Sequence, residues 1–299
     1  MTHSLTLGWA LVLALAVCPA AQAEPDEEAL GKSQGYPIGP RWSAMENRVG
    51  AWSALDRVPG VLTETVARGN SVLPLPQANV PVVIKYRYRN LGYTLNEYLE
   101  RRRITGLLIL KNGEIVAERY RYGRTEDARF LSFSMAKSVV TMALGKAIME
   151  RKIKNLDQKV VDFFPELKGK YAQEVTVGDL ASMASGLSWD EKYYSPFSIV
   201  TRAYFDDDLN NVILGLNIHE KPGQSFKYLS GATQLLAMCI EKATGEYLSH
   251  YVSKHFWQPM GAENEALWQL DHAPDGTEKA YCCIASNARD FARFGKLYM

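Results

Sequence analysis

The run Met135-Ala-Lys-Ser-Val-Val-Thr-Met-Ala-Leu-Gly-Lys-Ala-Ile is apolar or small on nearly every face. A helix of that kind, about three turns long, is stable only when other elements wrap it on several sides. It therefore demands a layered domain with this helix at its centre. It also carries Lys137 into the interior, where an ammonium without a partner is costly. Ser134 precedes Lys137 at i, i+3, so the two side chains share one face of the helix. Serine is a poor nucleophile at its own pKa and needs an adjacent base. A lysine whose pKa is brought down by desolvation can be that base.

Spacing alone decides little. The chain has 18 serines and 17 lysines, enough to place roughly one Ser-x-x-Lys pair by chance. The plainer reading keeps Ser134 as a helix N-cap and lets Lys137 snorkel to the surface. What favours chemistry is the position of Ser134 at the start of a buried helix, where backbone N–H groups are suited to an oxyanion.

The rest of the chain bounds the function classes. Residues 7–17 are an apolar run too short to span a bilayer core, followed by Ala21-Gln-Ala23 as a small-x-small cleavage pattern. Residues 1–23 read as a signal peptide, although Met1 to Thr6 carry no Lys or Arg, and the expected location is periplasmic or secreted. No later segment reads as a membrane span. A net charge of +1 on 299 residues argues against nucleic acid as the main partner. After cleavage the cysteines are Cys239, Cys282 and Cys283. That is no disulfide framework, and adjacent cysteines rarely pair with each other. Five scattered histidines and no His-Glu-x-x-His or Cys-x-x-Cys argue against a metal site. No Gly-x-Ser-x-Gly elbow is present, so an α/β-hydrolase reading fails; no P-loop or dinucleotide fingerprint appears either, and no cofactor is expected.

Residues 24–90 read as an irregular lead-in, broken by Pro25, Pro37, Pro40, Pro59, Pro74, Pro76 and Pro81. Order begins near Tyr93. A strand is expected over 104–110, a tight turn at Asn112-Gly113 and a return strand over 114–120. Helices are expected from about Ser134 and over 177–183, 232–243, 247–257 and 286–299. Strands preceding helices predict an α/β or α+β domain with an antiparallel sheet.

Several segments in order resemble the penicillin-recognising serine hydrolases: class C β-lactamases, D-alanyl-D-alanine peptidases and related esterases. Phe133-Ser-Met-Ala-Lys-Ser-Val resembles their S-x-x-K motif. Val177-Gly-Asp-Leu-Ala-Ser-Met-Ala-Ser-Gly-Leu resembles the segment ending in S-G-L. Pro222-Gly-Gln-Ser-Phe-Lys-Tyr-Leu-Ser resembles P-G-x-x-F-x-Y-S-N. Ile240-Glu-Lys-Ala-Thr-Gly and Pro259-Met-Gly-Ala follow as expected, and Ala285-Ser-Asn-Ala-Arg-Asp-Phe-Ala-Arg-Phe-Gly resembles the S-x-x-D-x-A-R-F-G helix. Met183-Ala-Ser-Gly-Leu-Ser-Trp-Asp-Glu-Lys-Tyr-Tyr is similar to the 6-aminohexanoate-dimer hydrolases and their esterase relatives.

The resemblance implies a β-lactamase/transpeptidase-like fold over 91–299, an antiparallel sheet flanked by helices with a helical subdomain. It implies Ser134 as acylated nucleophile, Lys137 as proton acceptor and Tyr228 as proton shuttle. Ser230 and Tyr194 are the expected substrate-binding residues, with Asp190, Glu191 and Tyr193 on the same loop. Ser230 stands where asparagine is usual, which argues against efficient β-lactam turnover. The expected substrate is a small ester or amide. A β-lactamase or D-alanyl-D-alanine peptidase and a catalytically silent penicillin-binding-like module are the alternatives. Cys282-Cys283 replace what is commonly a glycine pair. The family's third motif, a strand bearing K-T-G or a substitute, is expected beyond Met299, with the domain continuing past it. Oligomeric state cannot be read from the sequence.

Overall fold

The computed structural model describes residues 27–80, 82–272 and 275–299. The expected signal peptide lies outside them. The main sheet is antiparallel and runs in the order β1-β7-β8-β6: Leu62–Val66 (β1), Ala266–Leu270 (β7), Ile284–Ser286 (β8) and Phe130–Leu131 (β6). Two hairpins stand beside it. One is Lys85–Tyr88 (β2) with Leu91–Thr94 (β3), and the other Gly106–Lys111 (β4) with Glu114–Tyr120 (β5). The second turns at Asn112-Gly113, both with positive φ, as that dipeptide requires.

Nine α-helices are seen among the described residues. They are α1 (Met45–Ala51), α2 (Leu95–Arg101), α3 (Ala136–Met149), α4 (Val177–Ala181), α5 (Ile199–Phe205), α6 (Leu209–Leu214), α7 (Ser230–Thr244), α8 (Leu248–Val252) and α9 (Ala288–Lys296). Thr94 and Thr176 open α2 and α4 with capping boxes, bonding the Glu97 and Asp179 backbones and receiving those carboxylates in return. One large core joins α3, α4 and α7 to the inner face of the sheet, with Trp257, Trp268 and Tyr251 fully enclosed. This is the antiparallel, helix-flanked architecture the resemblance implies. No helix of the described residues is long and apolar enough to cross a membrane.

Three expectations are corrected. Residues 24–90 are not wholly irregular: β1 forms an edge strand of the main sheet, paired from Leu62↔Leu270 to Val66↔Ala266. The prolines flank it rather than interrupt it. Strands do not all precede helices either, since β7 and β8 come late. All five residues of β7 are buried, so it shows no alternation, and β8 is only three residues long. Finally α3 is not enclosed all round. Ser138, Thr141, Gly145 and Met149 form an exposed stripe, while Ala136, Lys137, Val140, Ala143, Leu144 and Ala147 face the core. The stripe recurs at i, i+3, i+7 and i+11, a helical spacing that the reading by composition passed over.

Candidate active site

The chain reaches α3 through one turn of 3-10 helix, Phe133–Met135, that carries Ser134 at its centre. Phe133 has φ +44°, and its ring meets Trp52 edge-on with centroids 4.8 Å apart. A left-handed aromatic residue just before Ser134 is local strain held by its surroundings. Ser132 fixes the turn from the other side: its N–H donates to the Ile284 carbonyl at 2.7 Å, and its Oγ accepts from Ile284 N–H at 3.1 Å. Ser134 itself is exposed.

Lys137 lies one turn on and faces inward, 8% exposed. Its Nζ stands 3.2 Å from Ser134 Oγ and donates to the Tyr281 carbonyl at 2.7 Å. Burial lowers its pKa from 10.5 to about 8, against the opposing pull of Glu191. Tyr228 completes the group, its ring centroid 5.1 Å from Lys137 Nζ, with Tyr281 beneath at 5.9 Å. Tyr228 is half-exposed in the loop before α7. A partly desolvated amine thus touches an accessible hydroxyl, with the Tyr228 ring beside the amine.

Glu191 ties the loop after α4 to the start of α7. One carboxylate oxygen accepts from Trp189 Nε1 at 2.9 Å and from Ser230 N–H at 2.5 Å. Tyr193 packs on Tyr204, and Tyr204 and Trp189 pack on Tyr281, so an aromatic wall adjoins the lysine. Lys279 holds Tyr204 from behind, donating to its carbonyl at 2.8 Å. Burial first, then Glu191, pushes the Tyr193 phenol up, so it remains protonated at neutral pH.

Ser134, Lys137 and Tyr228 are therefore gathered in one place. Ser230 lies at the start of α7, 0% exposed, with its hydroxyl beside the Tyr193 phenol. What the position supplies is the N–H that anchors Glu191. Tyr194 is 86% exposed, and it is its neighbour Tyr193 that joins the aromatic wall. Sequence reasoning missed Ser132, Tyr281, Tyr204 and Trp189. One correction concerns Cys282 and Cys283, which are joined to each other by a disulfide. Among the described residues, no group of three or more His, Cys, Asp or Glu is placed to hold a metal ion.

Trp189 also closes over Gly231. A Cβ there would stand 2.4 Å from Cε3 of the ring. Gly231→Ala is expected to destabilise by about 1–3 kcal/mol, less the gain in helix propensity. A lowered urea midpoint at unchanged slope would show it.

Comparison with known proteins places this geometry. The beta-lactamase family model matches residues 85–298. The chain belongs to the beta-lactamase family. It is a member of a hydrolase family and has a hydrolase relative, 26% identical over 279 residues. That relative is a 6-aminohexanoate-dimer hydrolase of Paenarthrobacter ureafaciens, and the match covers 90% of this chain and 69% of the relative. A Bacillus anthracis structure provisionally assigned as a 6-aminohexanoate-dimer hydrolase superposes with TM-score 0.76 at 21% identity, over 87% of this chain and 71% of its own. Protein flp of Staphylococcus aureus strain MW2 is 24% identical over 56% of this chain, which spans 35% of flp. The octameric penicillin-binding protein homologue of Pyrococcus abyssi shares the fold at TM-score 0.53 and 21% identity, over 68% of this chain and 54% of its own.

Proposed function

We propose that this beta-lactamase family member is a serine hydrolase that cleaves an ester or linear amide through an acyl-enzyme on Ser134. The observation that carries the reading is a buried lysine, titrating at about 8, within 3.2 Å of an exposed serine hydroxyl. Neutral Lys137 keeps one N–H on the Tyr281 carbonyl, which turns its lone pair toward Ser134. Ser134 Oγ then attacks the substrate carbonyl as its proton passes to Nζ. Tyr228, beside that ammonium, relays a proton to the departing alcohol or amine. Water attacks the acyl-enzyme in a second step and restores Ser134. The backbone N–H of Ser134, in the 3-10 turn before α3, would meet the developing oxyanion, while those of Met135 and Ala136 bond within the turn.

The amide half of the proposal draws on the names of the Paenarthrobacter and Bacillus relatives. Ser230 stands where asparagine is usual, and a hydroxyl lacks that amide's separate donor and acceptor, which favours simple esters and linear amides over β-lactams.

A fluorophosphonate probe tests the central step on the full-length protein. Wild type is expected to gain one adduct, mapped to the peptide holding Ser134, and Ser134→Ala none. Absence of adduct on wild type with a native circular dichroism spectrum would refute the acyl-enzyme reading. Hydrolysis of short-chain nitrophenyl esters and of linear amides then ranks the substrates.

A further inference from the structure

We propose that the disulfide between Cys282 and Cys283 is a positioning device for the Lys137–Ser134 pair, so that the oxidised chain is the competent hydrolase. This rests on the acyl-enzyme reading above. Four consecutive residues hold the reacting groups from one side. Tyr281 supplies the carbonyl that Lys137 Nζ donates to at 2.7 Å. Ile284 makes both bonds to Ser132, which sets the turn before Ser134. The two cysteines are the link between these contacts, and both are buried, 1% and 0% exposed.

Their backbone is unusual. Cys283 has φ +76°, in the left-handed region that a side chain with a Cβ rarely occupies. The neighbouring bonds fix Cys282 in turn: its N–H donates to the Lys279 carbonyl at 3.0 Å, and its own carbonyl accepts from Trp268 Nε1 at 3.0 Å. A bond between adjacent cysteines closes a small ring that contains the peptide linkage joining them. That ring removes the freedom Cys283 would otherwise use to relax. With two free thiols the residue is released toward negative φ, and the peptides on either side rotate with it. One is the Cys282–Cys283 linkage, which directly follows the peptide bearing the Tyr281 carbonyl that holds Lys137, and the other carries the Ile284 N–H that donates to Ser132 Oγ. The amine then loses the contact that aims its lone pair at Ser134, while the surrounding core is retained.

Reduction by a water-soluble phosphine is the probe. The S–S bond breaks, phosphorus is oxidised by one electron pair, and each sulfur is reduced to a thiol. The two protons and the oxygen of the phosphine oxide come from water.

The bond is counted first, by unfolding the full-length chain without reductant and alkylating it with iodoacetamide. Cys239, free and buried in the fold, is expected to take the label, and the peptide holding Cys282 and Cys283 none. Two labels on that peptide would overturn the proposal. Fluorophosphonate labelling rates across pH 6–10 then compare oxidised and reduced wild type with Cys283→Ala and Cys283→Gly. Reduction and Cys283→Ala are expected to slow labelling by about 10-fold or more and to displace the midpoint of its pH profile. Glycine accepts positive φ at no steric cost, so Cys283→Gly is expected to label within about threefold of the oxidised protein, with no response to phosphine.

Equal rates and midpoints in every form, or a glycine variant as slow as the alanine one, would overturn the proposal. Should Cys283→Ala fail to fold, reduced wild type with a native circular dichroism spectrum carries the comparison. If no form labels, the acyl-enzyme reading is what fails. The proposal is then decided by following the Lys137 ε-carbon through its titration by NMR. A midpoint that differs between oxidised and reduced chain supports the positioning role, and an unchanged one overturns it.

Discussion

Replacing Lys137 with methionine is expected to lower the rate of Ser134 acylation by about 10³-fold, within the range of a lost general base. Methionine keeps the length and apolar body of the side chain in a site that is already buried, so the fold has little reason to suffer. Arginine is the sharper control: it retains a cation but does not give up its proton at accessible pH. If Lys137 acts only as an electrostatic support, Lys137→Arg keeps much of the rate. If it acts as the base, arginine is as slow as methionine. The pH dependence follows from the same group. The amine must be neutral to accept a proton, and burial brings its pKa from 10.5 to about 8. The groups around it are Glu191, Ser134 and the rings of Tyr228 and Tyr281. Acylation by the probe is therefore expected to rise with pH through about 8 and then level. Folding stability should move in the same direction. Between about 8 and 10.5 the unfolded chain binds more protons at this lysine than the native one, so stability rises as pH rises through that window.

Asp290→Ala is expected to cost about 3 kcal/mol, the loss associated with breaking a buried ion pair, read as a fall in urea midpoint. Asp290 is fully buried and its carboxylate accepts three bonds, from the N–H groups of Glu263 and Asn264 at 2.9 Å each and from Arg293 Nη1 at 2.7 Å. Its own backbone N–H donates to Asn287 Oδ1 at 2.7 Å, the cap of α9. Removing the carboxylate orphans two backbone donors and takes one partner from Arg293, which is itself 3% exposed. Arg293 keeps Glu263 and the Leu73 carbonyl, which holds the cost below that of a wholly abandoned charge. Asp290→Asn, which retains acceptance through one oxygen, should fall between. A midpoint for Asp290→Ala within experimental error of wild type would show that α9 is held by packing alone.

The sequence carried the parts of this molecule that local rules govern. Asn112-Gly113 announced its hairpin because few other dipeptides take positive φ in succession. The nucleophile helix was legible from composition, and Tyr228 from the segment around it. What stayed hidden depends on distant chain. The acceptor for Lys137 is a backbone carbonyl 144 residues away, and no side-chain identity marks a carbonyl. Strand β7 is buried on both faces and so lacks the alternation by which strands are recognised. Ser230 was read from its place in a motif, and its burial at the start of α7 is something a motif position does not announce. The disulfide was discounted on the general rarity of adjacent pairs; the unusual φ of Cys283 that accompanies it is a property of the fold, invisible beforehand.

The pairing of β6 with β8, and of Lys137 with the Tyr281 carbonyl, has a consequence for when this protein becomes reactive. During synthesis Ser134 leaves the ribosome early, on a helix that is apolar enough to collapse at once. At that moment its lysine is still hydrated and protonated, and the serine beside it is an ordinary alcohol. The segment that holds the amine, through the Tyr281 carbonyl just ahead of β8, arrives 144 residues after Lys137 and must close a long loop before it docks. On the acyl-enzyme reading proposed above, a nascent chain would display Ser134 and Lys137 well before the carbonyl that holds the amine is in place.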